Sequence, residues 1–227
     1  MSWRREGTGP RDGAPDGPAG ERRGYHHGNL REALVLAALE LIGQKGPSGF
    51  SFAEAARHAG VSPAAPYRHF RDRDALMADV AQRGFERFEA ALSAAWRKGQ
   101  PDPLRALEAV GKAYIAFART EPAFFSAMFE ACLPPDAHPR MHQAGEQAFA
   151  ILRQAAEAAV AGARPGLRPP ALMVALHMWS LAHGIAALFG RGDVGRRKIP
   201  MAAEELLEAG VLVYLRGLGL DGRGGDG

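Results

Sequence analysis

Between Leu30 and Leu218 the apolar residues return every three or four positions, and nowhere do they alternate long enough to make a strand. A chain with that period buries its apolar surface by packing helix on helix, so an all-α fold is expected. Frequent alanine and missing β-branched runs point the same way. Met1 to Gly24 is rich in Gly, Pro and Arg without any apolar period, and Asp221 to Gly227 is nearly all Gly and charge; both are expected to be disordered tails. Residues 25–220 then suffice for one large domain or two small ones sharing a core.

Composition removes several functional classes. Cys132 is the only cysteine, which excludes a disulfide scaffold and a multi-thiolate zinc site. The N-terminus carries charge without an apolar run behind it, so no secretory signal is expected and the cytoplasm is the default compartment. A formal charge of +3 permits nucleic-acid binding without demanding it. Leu172 to Phe189 has no formal charge and approaches the length of a membrane span. It carries His177, Ser180 and His183 on consecutive turns and Trp179 in its middle, so it is expected to be a helix buried on most sides, with no membrane partner.

Caps and breakers divide the chain. Asn29 and Glu32 form a capping box ahead of a first helix that ends at Gly46-Pro47, and Ser51 and Glu54 form a second. Gly60 stops the second helix, because a left-handed residue costs glycine nothing. Ser62-Pro63 opens a third, short helix running to about His69. Pro66 removes the bond the Ser62 carbonyl would accept, so its first turn is expected to be loose. Asp72 caps a long fourth helix ending near Gly99, and Gln100 to Pro103 is a break. Further helices are expected over Leu104–Arg119, Pro122–Cys132, Pro139–Ala163, Pro170–Phe189 and Met201–Leu218.

The stretch FAEAARHAGVSPAAPYRHF, Phe52 to Phe70, reads as a helix, a tight Gly-Val-Ser turn and a second helix. Ala56 is small enough for a close crossing, and Val61 packs beneath the turn. Ala64 and Ala65 would let the second helix approach bases and touch thymine methyls, Arg68 and His69 can reach phosphates or base edges, and Tyr67 offers a hydroxyl on a stiff ring. The same spacing also fits a plain helical hairpin. From Tyr25 to Arg73 there are six Lys and Arg against four Asp and Glu, so non-specific affinity for DNA would be weak and salt-sensitive.

Residues 29–92 nevertheless resemble the N-terminal domain of TetR-type transcriptional regulators. The resemblance rests on the order and spacing of Gly46, Ser51, Ala55-Ala56, Ala59-Gly60-Val61-Ser62, Tyr67, Phe70 and Asp72-Arg73-Asp74-Ala75-Leu76. Ala65 stands where the family often has Gly or Thr, Pro66 where it often has Leu, and Arg73 where it usually has Lys; the base-reading pattern is the part these departures touch. Trp179, His183 and Gly184, in MWSLAHGIAALF, are similar to the Trp…His-Gly signature of one TetR C-terminal class.

The resemblance implies an N-terminal three-helix helix-turn-helix domain, residues 25–72, followed by a larger helical ligand-binding and dimerisation domain, residues 73–220. It implies a homodimer on double-stranded DNA at a pseudo-palindromic operator, acting as a repressor released by a small hydrophobic effector. No cofactor and no enzymatic activity are expected, because the sequence has no Gly-rich phosphate loop, no Ser elbow and no His-Glu zinc helix. Helix four would couple the two halves. The DNA-facing set would be Ser51, Phe52, Ser62, Pro63, Ala64, Ala65, Tyr67, Arg68, His69 and Arg73. The effector would lie among Phe117, Phe124, Phe125, Met128, Phe129, Met178, Trp179 and His183, all of which are equally suited to a plain core. The dimer interface would use Leu176, Gly184, Leu188, Leu207, Val211, Tyr214 and Leu218.

The remaining signals are weaker. His138, His142 and Glu146 are four apart, but Pro139 puts His138 at a helix start and spoils a metal site. Cys132 has no second thiol to resolve it and reads as a plain buried thiol. Arg22-Arg23 and His26-His27 read as a solvated tail rather than a DNA-contacting arm, and Arg196-Arg197-Lys198 as a solvated loop. The competing function is a helical small-molecule-binding protein without specific DNA binding.

Overall fold

The computed structural model describes residues 30–163, 166, 168–190 and 199–220. The tails, the Asn29 cap, the Arg22-Arg23 and His26-His27 arm and the Arg196-Arg197-Lys198 loop lie outside the described residues. Among the described residues eight α-helices follow one another: α1 (Leu30–Lys45), α2 (Phe52–His58), α3 (Arg73–Trp96), α4 (Pro103–Thr120), α5 (Pro122–Phe129), α6 (Pro139–Ala161), α7 (Ala171–Gly190) and α8 (Ala203–Gly217). There is no strand among the described residues.

Local chemistry sets the boundaries. The Ser51 hydroxyl accepts the Glu54 N–H at 3.2 Å and starts α2. The return half of that box is absent, because the Glu54 carboxylate pairs with Lys45 at the end of α1; Lys45 chiefly holds the Glu54 acid below its ordinary range. Gly60, at φ +72°, closes α2: its N–H bonds to Arg57 O and the Val61 N–H reaches Ala56 O, both at 3.0 Å. Asp72 caps α3 through Ala75 N–H at 2.8 Å, and Asp102 caps α4 through Leu104 and Arg105 N–H. The α3 helix stops at Trp96, and Arg97 and Lys98 both turn left-handed after it.

One continuous apolar core runs from α1 to α8. The first two helices and the N-terminal part of α3 enclose Leu34, Ala38, Leu41, Phe50, Phe70 and Leu76. The larger half packs α3 on α6, α4 on α7 and α8, and α5 between α1 and α3.

Three expectations change. The third helix is not α-helical: only Ala65–Arg68 forms a 3-10 turn, with Ser62 and Pro63 in the loop before it. The ring of Pro66 leaves the Ser62 carbonyl to accept from Ala65 N–H at 3.0 Å, and Pro66 O itself takes both His69 and Phe70 N–H. The apolar α7 is not buried on most sides. Only 33% of its most apolar stretch is covered, and Leu172, Leu176, Ser180, Gly184 and Leu188 face outward. Leu207 and Val211 are buried within the protomer and unavailable to a partner. A Cβ on Gly111 would come within 3.0 Å of the Leu207 side chain, which shows how closely α8 sits on α4.

Candidate DNA-binding and ligand sites

The exposed edge of the N-terminal half is the 3-10 turn and the loop before it. Ser62, Pro63, Ala64, Tyr67, Arg68 and His69 are exposed, Ala65 is half-buried, and Pro66 and Phe70 anchor the turn inward. Tyr67 is 64% exposed, yet its ring meets the Phe52 ring edge-on at 5.1 Å, so its hydroxyl is presented on a supported ring. Phe52 itself is buried and cannot reach DNA; it holds Tyr67 in place. Ser51 is exposed, and the N–H it accepts leaves its own hydroxyl proton to donate.

Arg73 takes a different role from the expected one. Its guanidinium donates to Phe50 O at 3.0 Å and to Pro47 O, lies over the Phe50 ring at 5.1 Å and pairs with Asp74 at 3.2 Å. With those donors committed to carbonyls, it fastens the α1–α2 loop to the start of α3 instead of reaching a phosphate. Arg31 pairs with Asp79, Lys45 with Glu54 and Arg71 with Asp72. Arg57 and Arg68 form no ion pair among the described residues, which leaves their charge outward on this face.

The two halves meet through charge as well as apolar packing. Arg83 of α3 bonds Glu32 of α1 at 2.6 Å and Asp79 at 3.1 Å. Partial burial opposes its charge, but those carboxylates more than compensate and raise its pKa. Gly84 lets α5 lie against α3, since a Cβ there would be 2.8 Å from the Met128 sulfur.

A cavity opens between α3, α4, α6 and α7. About 430 Å³ of space is free of atoms, its mouth included, but the centre of a water-sized sphere can occupy only about 20 Å³ of it. Of the expected residues, Phe129, Met178 and Trp179 line it. Phe117, Phe124, Phe125, Met128 and His183 are not in its wall: Phe117 packs under Phe88 at 5.1 Å, Phe124 lies under the Arg87 guanidinium, Met128 meets Gly84, and Phe125 stacks on His183 at 5.6 Å. The period-based reading missed Phe85, Phe88, Tyr114, Gly145 and Phe149, which do line it. Helical period marks all of these as inward-facing and cannot separate a wall from a core.

Two tyrosine–histidine pairs tie α7 to its neighbours. The Tyr114 hydroxyl lies 2.8 Å from His183 Nδ1, and the Tyr214 hydroxyl 2.9 Å from His177 Nδ1. Burial pushes the Tyr114 phenol far above its usual range, the Trp179 indole opposing slightly. Burial also holds His183 below its ordinary pKa against the pull of Glu130. His183 is therefore neutral at pH 7 and accepts the Tyr114 proton at Nδ1. His138 is the N-cap of α6, with a non-helical backbone at φ −136° and ψ 66°. Cys132 is exposed, contrary to expectation, with φ +51°.

On the outer side of α7 and α8, Leu172, Leu176, Leu188, Leu212 and Val213 are exposed together with Gly184. Of the residues expected at a dimer interface, Leu176, Gly184 and Leu188 lie on this side, Tyr214 and Leu218 are half-buried, and Leu207 and Val211 point into the protomer.

Residues 34–80 match the family model described as bacterial regulatory proteins, tetR family, and residues 107–214 match that of a tetracyclin repressor-like C-terminal domain. The uncharacterized HTH-type transcriptional regulator YobS of Bacillus subtilis is 30% identical over 102 residues, 44% of this chain and 51% of that protein. The match thus spans about half the length of this curated relative. A solved structure of a protein with unknown function from Rhodococcus superposes with a TM-score of 0.71 at 31% identity, covering 86% of this chain and 98% of that one. The TetR family transcriptional regulator PfmR from Thermus thermophilus shares the fold at a TM-score of 0.63 and 22% identity, over 81% of this chain and 97% of that one.

Proposed function

Because this chain belongs to the TetR family of DNA-binding bacterial regulators, we propose that it acts as a homodimeric repressor released by a small apolar effector. The observation that carries the reading is α5. It packs on α1 of the DNA-binding half and on α3, while its last residue, Phe129, forms part of the cavity wall. A molecule that displaces Phe129 therefore acts on a helix that touches the DNA-binding half directly. This adds α5 to α3, the long connecting helix, as a coupling element. Effector release then requires only that the ligand bind one arrangement of α5 better than the other.

Each subunit would present residues 25–72 to one half-site, with Ser51, Ser62, Pro63, Ala64, Ala65, Tyr67, Arg68 and His69 nearest the DNA. The 3-10 geometry keeps this edge short, so base contacts fall to Tyr67 and the two alanines, and Arg68 and His69 serve phosphates. The apolar stripe of α7 and α8 would pair with its symmetry mate in a two-fold dimer, and two-fold symmetry calls for a pseudo-palindromic operator. Such a protein works in the cytoplasm.

The test is a titration of the full chain against a fluorescent duplex from around its own gene, at fixed physiological salt with excess unrelated DNA. Saturable, competitor-resistant binding at two chains per site supports the reading. If neither that DNA nor any duplex selected from a random pool binds in the presence of competitor, the chain is a helical ligand-binding protein and the reading fails.

A further inference from the structure

The cavity wall has two zones. Its floor, including Phe88, Leu92, Val110, Leu152 and Met178, is buried. Its edge is a row of half-buried rings, Phe85, Phe129, Trp179 and Phe149. Successive ring centroids are 5.6, 6.4 and 4.9 Å apart, and the first two contacts are edge-on. No Asp, Glu, Lys or Arg lines either zone.

Tyr114, Trp179 and His183 are the polar groups at or beside the wall, and they already serve one another; the charge of Glu130 reaches His183 from outside it. The Tyr114 hydroxyl is 2.8 Å from His183 Nδ1, and the Trp179 indole acts on the same hydroxyl. Burial keeps His183 neutral. A carboxylate entering here would lose its water, meet no cation in the wall and face the charge of Glu130 beyond His183; an ammonium would find no carboxylate in the wall, since Glu130 lies outside it and accepts from the Ser126 hydroxyl. Ring faces attract cations, but these rings largely meet edge to face and cover one another. A neutral hydroxyl, carbonyl or amide has no such penalty. It can exchange hydrogen bonds with the Tyr114 hydroxyl, which both donates and accepts. The free space is also narrow, so only a slender body passes once the rings swing aside.

We propose that the cavity's ligand is an uncharged, slender molecule with a hydrocarbon body and one neutral polar group, which parts the Phe85–Phe129–Trp179–Phe149 row and sets that group against the Tyr114–His183 pair. The proposal rests on the reading of this cavity as the effector site.

Three probes of equal chain length test it: 1-decanol, decanoate and decyltrimethylammonium, titrated calorimetrically into the full chain at pH 8 and then scored for release of bound operator duplex. Decanol is expected to bind, and both ions to bind at least about 100-fold more weakly. Decanoate should gain affinity as pH falls toward the carboxyl's own pKa, because the neutral acid is the species admitted. Tyr114→Phe should weaken decanol about 5–10-fold. Should that variant fold poorly, Phe149→Ala serves instead: it opens the row at a half-exposed position, speeds decanol association and keeps the preference for the neutral probe. Equal binding of decanol and either ion at pH 8 overturns the charge exclusion while leaving the cavity as the effector site. If none of the three binds or releases DNA, the effector-site reading itself falls, and the proposal with it.

Discussion

The Tyr114 hydroxyl and His183 Nδ1, 2.8 Å apart, join α4 to α7 beside an otherwise apolar cavity. With His183 neutral and its proton on Nε2, Nδ1 accepts the Tyr114 hydroxyl proton. Protonated, both ring nitrogens donate, and the hydroxyl must turn to accept while Trp179 already acts on it. The pKa of His183 lies below its ordinary value of 6.5, chiefly through burial. The unfolded chain therefore takes up the proton first as pH falls. The contribution is complete above the unfolded value and is lost as pH drops through it toward the folded one. Between pH 8 and 5 the wild type should lose more Tm than His183→Gln, whose side chain does not titrate. Parallel Tm–pH curves for the two proteins would remove His183 from this account.

Two arginines five residues apart should separate fold from function. Arg73 holds the Pro47 and Phe50 carbonyls, so Arg73→Ala should cost about 1–3 kcal/mol of stability by stranding them. Arg68 is exposed and bonds to no acid among the described residues, so Arg68→Ala should leave Tm nearly unchanged. It should weaken binding to all duplexes alike and reduce the steepness of the salt dependence by about one counterion. A loss of DNA binding in Arg73→Ala without a fall in Tm would show that Arg73 reaches DNA after all.

These arginines also show what a sequence displays. Caps and breakers act over three or four residues, so Ser51, Gly60, Asp72 and Pro66 announce their local roles in the chain itself. Even the distortion at Pro66 follows from its missing N–H. Arg73 meets carbonyls 23 and 26 residues back, a contact no local pattern encodes. The phase of α8 was misread for a related reason. Leu207, Val211, Leu212 and Val213 are all apolar, so period alone cannot say which side faces α4 and which faces out. The cavity was hidden in the same way, because its wall and the core use the same residues at the same spacing.

The contact of α5 with α3 depends on Gly84. A larger side chain there must displace Met128 and then Phe124, whose ring is 3.3 Å from the Cβ position. Gly84→Ala should be mild, since the Met128 end is flexible and alanine favours the helix. Gly84→Leu should cost about 1–3 kcal/mol by overpacking. Met128→Ala should restore part of that loss in the double variant, read as a coupling in thermal unfolding. Additive losses would mean that the two residues do not share this space.

On α8, Leu207 is fully buried and Val213 is 73% exposed, so the two should fail in different ways. Leu207→Ala opens a gap against α4 beside Gly111 and should cost about 2–5 kcal/mol whatever the oligomeric state. Val213→Asp disturbs no contact within the protomer and should cost within about 0.5 kcal/mol there. If the α7–α8 stripe pairs two subunits, the same aspartate places two unpaired carboxylates near the two-fold axis. The variant should then sediment as a monomer at concentrations where the wild type is a dimer. Its Tm should also lose the rise with protein concentration that a dimer shows. Leu176→Asp, on the same stripe of α7, should behave alike. Two variants that remain dimeric would place the subunit contact elsewhere on the molecule and leave this stripe without a partner.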